Sequence, residues 1–568
     1  MTTRRFLLLG GTLGFVTALV LTHPLARHLH DMVLEDGSFD AYQFLWNLWW
    51  VRESLLDLHQ NPFVTRYLFY PQEVSLLFHT FSVSLGLLSV PLQVLFPGDV
   101  VSAHNVLVIA APLLALVTTA LLAREVTGDA WAAVTGAFVA VLNPIFIWFL
   151  PVLYVSCTWL SALLLWIWWR MHRRRTTALL VAAVAATAAL VMAAPEYAMM
   201  TLALLALDTV RRLAWPRLPD GDRLWGRGAT AFAVLAALGL GGLALLASAN
   251  PAAPPPDIQL TLGSGYLAGL VSPPWLIPPP ERFWTVLYLG TAPLLLLPVA
   301  VVAGGRGRGY WLLALLATGS MALGPEMRLH HPAPDLIVPP GTTLPAGTPG
   351  IYGLALQVVP LLRFFRAPYR WIAIAQIVLA VLTAIAVAAL RRDAPRATRT
   401  AWTAAALAMV IGLGALDVRG LRAPLASAAV PAAYELLRDD ADPCAIVELP
   451  SGPDLSGLAF YSSHYMYYQT THGKFLLEGT VARLPADVQW VLLRELGDFT
   501  ALPYVKYVVI HRDFAARSLP ASQHQIAAVE RTLATQGIPR FQDDRLAIWE
   551  LRTFRPETVL AAAGGPGG

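Results

Sequence analysis

The chain has 568 residues, 56% hydrophobic and 13% charged, with a mean hydropathy of +0.57. Soluble domains carry roughly 25% charged residues, so a soluble enzyme is excluded, and the abundant Leu, Val and Ala with 18 Trp exclude disorder. The formal charge of +4 comes from arginines in short clusters between apolar runs, since Lys474 and Lys506 are the only lysines; without a continuous basic face, nucleic acid is excluded as a partner.

Arg4 and Arg5 precede the apolar run Phe6 to Thr22, and no small-x-small cleavage site follows before His23-Pro24. This predicts an uncleaved anchor with its N-terminus inside. Further spans of helical length fall at 103–123, 130–150, 154–170, 177–194, 196–210, 229–248, 284–303, 309–324, 371–390 and 401–416, giving about eleven transmembrane helices in all. The segment 76–97 is apolar but broken by Pro91 and Pro97. If it crossed, the clusters Arg170 to Arg175, Arg211 to Arg227, Arg306 to Arg308 and Arg391 to Arg399 would lie outside, against the positive-inside rule. Read as a juxtamembrane or re-entrant piece, it puts those clusters and Arg124 in the cytoplasm. The loops 23–102, 151–153, 249–283 and 325–370 then face outward, as does everything after about 417.

The first outer loop carries Glu35-Asp36-Gly37-Ser38-Phe39-Asp40 and then a stripe of apolar residues at 44, 45, 48, 49, 51, 55 and 56. The spacing predicts a helix lying in the membrane interface with three tryptophans. Ser38 suits its N-cap, Asp40 its first turn and Asp36-Gly37 a preceding turn. Asp36 and Asp40 are also the candidate catalytic residues, because a carboxylate at this height could act as general base on an acceptor hydroxyl.

Pro195-Glu196-Tyr197 joins two apolar runs so closely that Glu196 must sit at the outer boundary, where it could hold a sugar hydroxyl, a metal or an arginine. Asn143, Pro144 and Pro151 shape neighbouring spans. The proline- and aromatic-rich stretch 273–283, with Glu281 and Arg282, is a candidate covering loop. Arg363, Arg366 and Arg370 break the positive-inside pattern; Arg363 and Arg366 share a face at helical spacing, and Pro368 ends that short helix before the next span. Guanidinium groups there suit a lipid phosphate.

After 417 the composition changes. Asp439, Asp440 and Asp442 lead to strand-like runs at 445–449, 504–511 and 546–551, with helical pattern around 523–536. This predicts a small C-terminal α/β extracytoplasmic domain over 417–560 and a disordered tail at 561–568. Within it His472, Lys474 and Glu478 lie close enough to bind an acceptor. The remaining divisions are a first helix at 1–22, an outer loop with interfacial helices at 23–102 and a multi-span domain at 103–416. No Walker A pattern occurs. The two cysteines, Cys157 in an apolar run and Cys444 far along the chain, give neither a disulfide framework nor a Cys-type zinc site.

A long first outer loop with acids near its start, the motif Phe69-Tyr70-Pro71 followed by Leu77-Phe78-His79-Thr80, many spans and an outer C-terminal domain resemble the GT-C glycosyltransferases, including bacterial dolichyl-phosphate-mannose-type and arabinose-type transferases. Glu35-Asp36 with Asp40 departs from that superfamily's usual Asp-x-Asp, Glu-x-Asp or Asp-Glu, which leaves open which acid is the base. The resemblance implies a GT-C fold in a bacterial plasma membrane and inverting transfer of a hexosyl or pentosyl group from a polyprenyl-phosphate donor to a lipid, glycan or protein acceptor. Asp40 or Asp36 would be the base, and Arg363, Arg366 and Arg370 would hold the donor phosphate. Glu196, His79 and Tyr70 would orient sugar or acceptor. No cofactor is required; Asp36, Asp40, His79 and Glu196 could ligate a divalent metal, yet no spacing demands one. A lipid or polysaccharide transporter of flippase type is the rival, although neither repeated halves nor midplane charges are evident. A catalytically inactive GT-C-fold protein is a third reading.

Overall fold

A computed structural model describes every residue except 36, 78, 175, 215–227, 250–256, 280–281, 306, 333–343, 345, 366, 452–460, 482–497, 519 and 564–568. Asp36, Arg366 and Glu281 therefore lie outside the described residues. The chain divides into two compact units: residues 1–26, 107–247 and 253–423 form one, and residues 27–106, 248–252 and 424–568 form the other.

The first unit is helical. Among the described residues five helices are long and apolar enough to cross a membrane: Thr3–Thr22, Val100–Thr127, Arg282–Ala303, Pro368–Arg392 and Arg396–Asp417. Ala130–Ala140 and Thr177–Ala193 are shorter apolar helices. Trp371–Arg392 is the hub, with every residue from Trp371 to Val387 buried. Helices Ala130–Ala137, Thr291–Ala303 and Arg308–Ala322 pack on it. Such all-round apolarity is what a central helix needs. Small residues allow the close approach: a Cβ added at Gly136 would lie 2.3 Å from the Ala380 carbonyl oxygen.

Many arginines of this unit pair with acids. Arg170 and Arg173 reach Glu125, and Arg391 reaches Asp129. Asp208 is fully buried and accepts from Arg211, Arg212 and the Trp168 indole. A buried acid with three donors needs no further partner to offset its desolvation.

The second unit combines the first loop with the C-terminal segment. Its core is a five-stranded mixed sheet of β1 (Ala445–Leu449), β2 (Phe475–Leu476), β3 (Val505–His511), β4 (Gly537–Gln542) and β5 (Leu546–Leu551), in the order β4-β5-β3-β1-β2. Strands β2, β1 and β3 are parallel, and β5 and β4 continue the sheet antiparallel. Both β1 and β3 are buried throughout, as strands of a sheet covered on both faces are, although they carry Glu448, Lys506 and His511. Met32–Leu34 of the first loop pairs antiparallel with Leu425–Ser427.

The sequence stripe predicts a helix with one buried face, but Asp40–Arg52 is buried from Ala41 to Val51 on every side. The reason is that it packs against both Val83–Leu95 and Ser462–His472. Its indoles find protein acceptors: Trp46 donates to Gln469 Oε1 at 2.7 Å and Trp50 to the Pro62 carbonyl at 3.0 Å. Their rings stack at 5.6 Å. Helix Val83–Leu95 has 13 residues, about 20 Å at 1.5 Å per residue, short of the roughly 30 Å hydrocarbon core.

Candidate functional site

In the first unit, Arg370 and Glu196 meet by a specific local geometry. Pro195 opens the helix Pro195–Ala214 and puts Glu196 in its first turn, where the helix dipole favours an acid. Pro368 opens a 3-10 turn ending at Arg370, which leads directly into the hub helix. Arg370 Nη1 donates to Glu196 Oε2 at 2.8 Å, and the Tyr154 hydroxyl donates to the same oxygen at 3.2 Å. The guanidinium also lies over the Tyr154 ring, 5.5 Å from its centre.

Glu196 is 2% exposed and the Arg370 side chain 18%. Arginine offers five N–H donors, and the bond to Glu196 uses one. The buried Nε has no acceptor, and neither does the buried Tyr197 hydroxyl next to Glu196 in sequence. An ion pair with donors left over is a half-built anion site.

Arg363 is exposed, on a 3-10 turn Pro360–Phe364. Pro360 opens that turn, and Arg366, with which a helical face is expected, lies outside the described residues.

In the second unit, Glu35 organises the acidic turn. Its carboxylate accepts from the backbone N–H of Gly37 and Phe39, both at 2.9 Å, and of Ala41 at 3.2 Å. The expected cap, Ser38, accepts from Asp40 N at 3.3 Å, and the helix's N-cap position is Phe39 instead. Glu35 thus takes the N–H groups at the start of the helix, a role the local Ser/Asp pattern hid. Phe39, between them, is held at φ +65°, an uncommon region for a bulky residue that persists only where surroundings impose it. Its ring packs edge-on against His464 at 4.5 Å. Asp40 follows, half-buried, as the first helical residue.

The other expected residues of this unit lie inside it. His79 is buried against Gln43, its ring nitrogen 3.2 Å from the amide, and burial lowers its pKa to about 3, so it is neutral. The Tyr70 hydroxyl donates to the Val559 carbonyl, and its ring stacks on Phe475. Lys474 Nζ donates to the Asp440 and Asp442 carbonyls, at 2.5 and 2.6 Å, and His472 Nδ1 accepts from the Lys474 backbone. Glu478 is buried just beyond β2, with Oε1 unpartnered; burial first and Glu448 second hold its carboxyl well above the usual range. Among the described residues no group of three or more His, Cys, Asp or Glu is placed to hold a metal ion.

No protein-family model matches the chain, and no curated protein does. Solved structures do. The arabinofuranosyltransferase AftD from Mycobacteria superposes with a TM-score of 0.53 at 13% identity, over 97% of this chain and 41% of that one, so the chain spans about two-fifths of AftD. ArnT from Cupriavidus metallidurans bound to undecaprenyl phosphate gives 0.47 at 11% identity, over 98% and 100% of the two chains. The archaeal oligosaccharyltransferase AglB from Archaeoglobus fulgidus gives 0.45 at 12%, over 92% and 72%. All three are GT-C superfamily proteins, and the chain has the GT-C fold.

Proposed function

We propose that this chain is a membrane glycosyltransferase that moves a sugar from a polyprenyl-phosphate donor to an acceptor hydroxyl at the outer face of a bacterial plasma membrane. The observation that carries the reading is Arg370: a largely buried guanidinium at the start of an apolar helix, fixed by Glu196, with its buried Nε–H still unused. The GT-C fold shared with AftD supports it, as an analogy of fold.

In this reading Asp40 takes the proton of the acceptor hydroxyl, and Asp36 is the second candidate. The hydroxyl oxygen attacks the anomeric carbon as its bond to the phosphate oxygen breaks, so the polyprenyl phosphate leaves with both bonding electrons and the configuration inverts. Arg370, with Arg363 and Arg366, stabilises the charge gathering on that phosphate. Glu196 acts through Arg370 by fixing its orientation. His79, being neutral, serves as a hydrogen-bonding group for sugar or acceptor. Tyr70 packs the loop beneath it, and His472, Lys474 and Glu478 shape the acceptor side. Eleven spans, a cytoplasmic N-terminus and an outer C-terminal domain complete the proposal.

The test is direct. Purified protein in nanodiscs, given radiolabelled polyprenyl-phosphate sugars and a membrane-envelope extract as acceptor source, should release free polyprenyl phosphate and label the extract. Absence of release across hexose and pentose donors, with the protein folded, would overturn it.

A further inference from the structure

Within the first unit a cavity of about 240 Å³ opens between residues of 266–279, residues of 284–288 and His330. Its walls include the rings of Tyr266, Trp284 and Tyr288, with Ser272, Thr285 and His330 supplying polar groups. Backbone bonds fix this wall from several sides. Leu267 N and Ala268 N donate to the Arg328 and Leu329 carbonyls, and Leu289 N donates to the Leu270 carbonyl. A Cβ at Gly269 would meet the Tyr266 ring at 3.0 Å and Leu287 at 2.8 Å, so only glycine lets that ring lie so close. Asp417 anchors the far end, accepting from the Trp275 indole at 3.0 Å and from the Thr291 backbone at 2.7 Å.

One polar group here is unaccounted for. Trp284 is 1% exposed and its indole N–H has no acceptor. A buried donor without a partner costs on the order of 1–3 kcal/mol, a cost that an acceptor entering the cavity would remove. The described lining residues are aromatic, aliphatic or hydroxyl-bearing apart from His330, a surface complementary to an uncharged occupant. The volume falls below the roughly 300–1,000 Å³ of pockets for drug-sized ligands, which limits that occupant to a single ring. Aromatic faces beside hydroxyl-bearing side chains are complementary to a saturated ring with an apolar face and hydroxyl edges. Trp284 also lies 6.2 Å, ring to ring, from Tyr369, the residue before Arg370. Ile277 of the lining is more than half exposed, an apolar approach suited to a ligand borne on lipid.

We infer that this cavity binds one uncharged sugar ring, with the Trp284 N–H donating to a ring or hydroxyl oxygen. The inference rests on the glycosyltransferase reading only for the source of the ring, so it is tested by binding without turnover. Protein with the full chain, in phosphatidylcholine nanodiscs, is titrated with radiolabelled hexyl glycosides of glucose, galactose, mannose and arabinose, and with hexyl tetraethylene glycol as the sugarless control. At least one glycoside should bind saturably and tighter than the control. Trp284→Phe, which keeps the ring and removes the N–H, should weaken it about three- to tenfold, and Ser272→Phe, which fills the cavity from its wall, should abolish it. Loss of binding when farnesyl phosphate is added assigns the ring to the donor; undiminished binding assigns it to the acceptor. Equal binding of the glycol, no binding by any of the four glycosides, or unchanged affinity in folded Trp284→Phe and Ser272→Phe would overturn the inference. Sugar binding without any transfer would keep the cavity and discard the enzymatic reading.

Discussion

Arg370 and Glu196 are 174 residues apart in sequence and 2.8 Å apart in the structure, at the starts of two helices, Glu196 buried and Arg370 largely so. Each charge is tolerable there because of the other, and the pair is coupled. Removing one partner from a buried pair typically costs about 3–5 kcal/mol, whereas removing both is far milder. Glu196→Gln and Arg370→Gln should each lower the melting temperature clearly, and the double variant should be more stable than the sum of the two losses predicts. Strict additivity in thermal melts of the purified protein would show the pair uncoupled.

Arg370→Lys separates structure from phosphate binding. A lysine can keep the charge toward Glu196 but loses the planar fork and most of the remaining donors. The variant should melt near the wild type while releasing polyprenyl phosphate at least about tenfold more slowly. Arg363→Gln, at an exposed position, should leave the melt unchanged and weaken polyprenyl-phosphate binding; unchanged affinity would remove Arg363 from the donor site.

Asp40 and Glu35 stand five residues apart yet predict opposite phenotypes. Asp40→Asn should preserve the fold and cut turnover about a hundredfold or more, the usual scale for a lost general base. Glu35→Ala frees the backbone N–H groups of Gly37, Phe39 and Ala41 and should cost on the order of 1–2 kcal/mol of stability. Turnover of Asp40→Asn within a few-fold of wild type would point to Asp36, and normal turnover in the Asp36/Asp40 double variant would dismiss both acids.

Glu478 predicts a pH dependence. Its carboxyl ordinarily ionises near 4.5, and in the folded unit burial and Glu448 hold that value well above this. The stabilisation from retaining the proton is complete below 4.5 and is lost as pH rises toward the folded value, by at most about 1.4 kcal/mol per pH unit. Glu478→Gln mimics the protonated acid. Its melting advantage over wild type should therefore be absent at low pH and grow through the neutral range; a constant difference across pH would show that Glu478 does not titrate abnormally.

Sidedness is tested by labelling. With Cys157 and Cys444 replaced, a cysteine at Thr176 should resist a membrane-impermeant thiol reagent in intact cells, while one at the exposed Thr535 should react. Labelling at 176 would overturn the arginine parity and the eleven-span reading with it.

The apolar runs made the helical membrane architecture legible, and the alternation of strand-like runs after 417 marked where the sheet's β1, β3 and β5 lie. Long-range pairing was not legible. Glu196 announced itself as an acid in an apolar hairpin and Arg370 as an arginine on the wrong side, but no local pattern joins residues so far apart. Asp208 was hidden among arginines read as topology signals, because a cluster's charge shows in sequence and its internal neutralisation does not. The helix from Asp40 was visible by its period, yet the seam that covers its second face comes from Ser462–His472, four hundred residues later. Glu35 escaped notice as a cap because a serine stood at the conventional place.

The centrality of the span Pro368–Arg392, 89% buried against 22% for its successor Arg396–Asp417, also sets an order of biosynthesis. It emerges from the ribosome about two-thirds of the way along the chain, after the helices Ala130–Ala137, Thr291–Ala303 and Arg308–Ala322 that surround it. At roughly 5–20 residues per second, Glu196 is made about nine to thirty-five seconds before Arg370. The early helices are therefore made before the helix they pack on, and a nascent chain halted before Trp371 lacks the element that joins them.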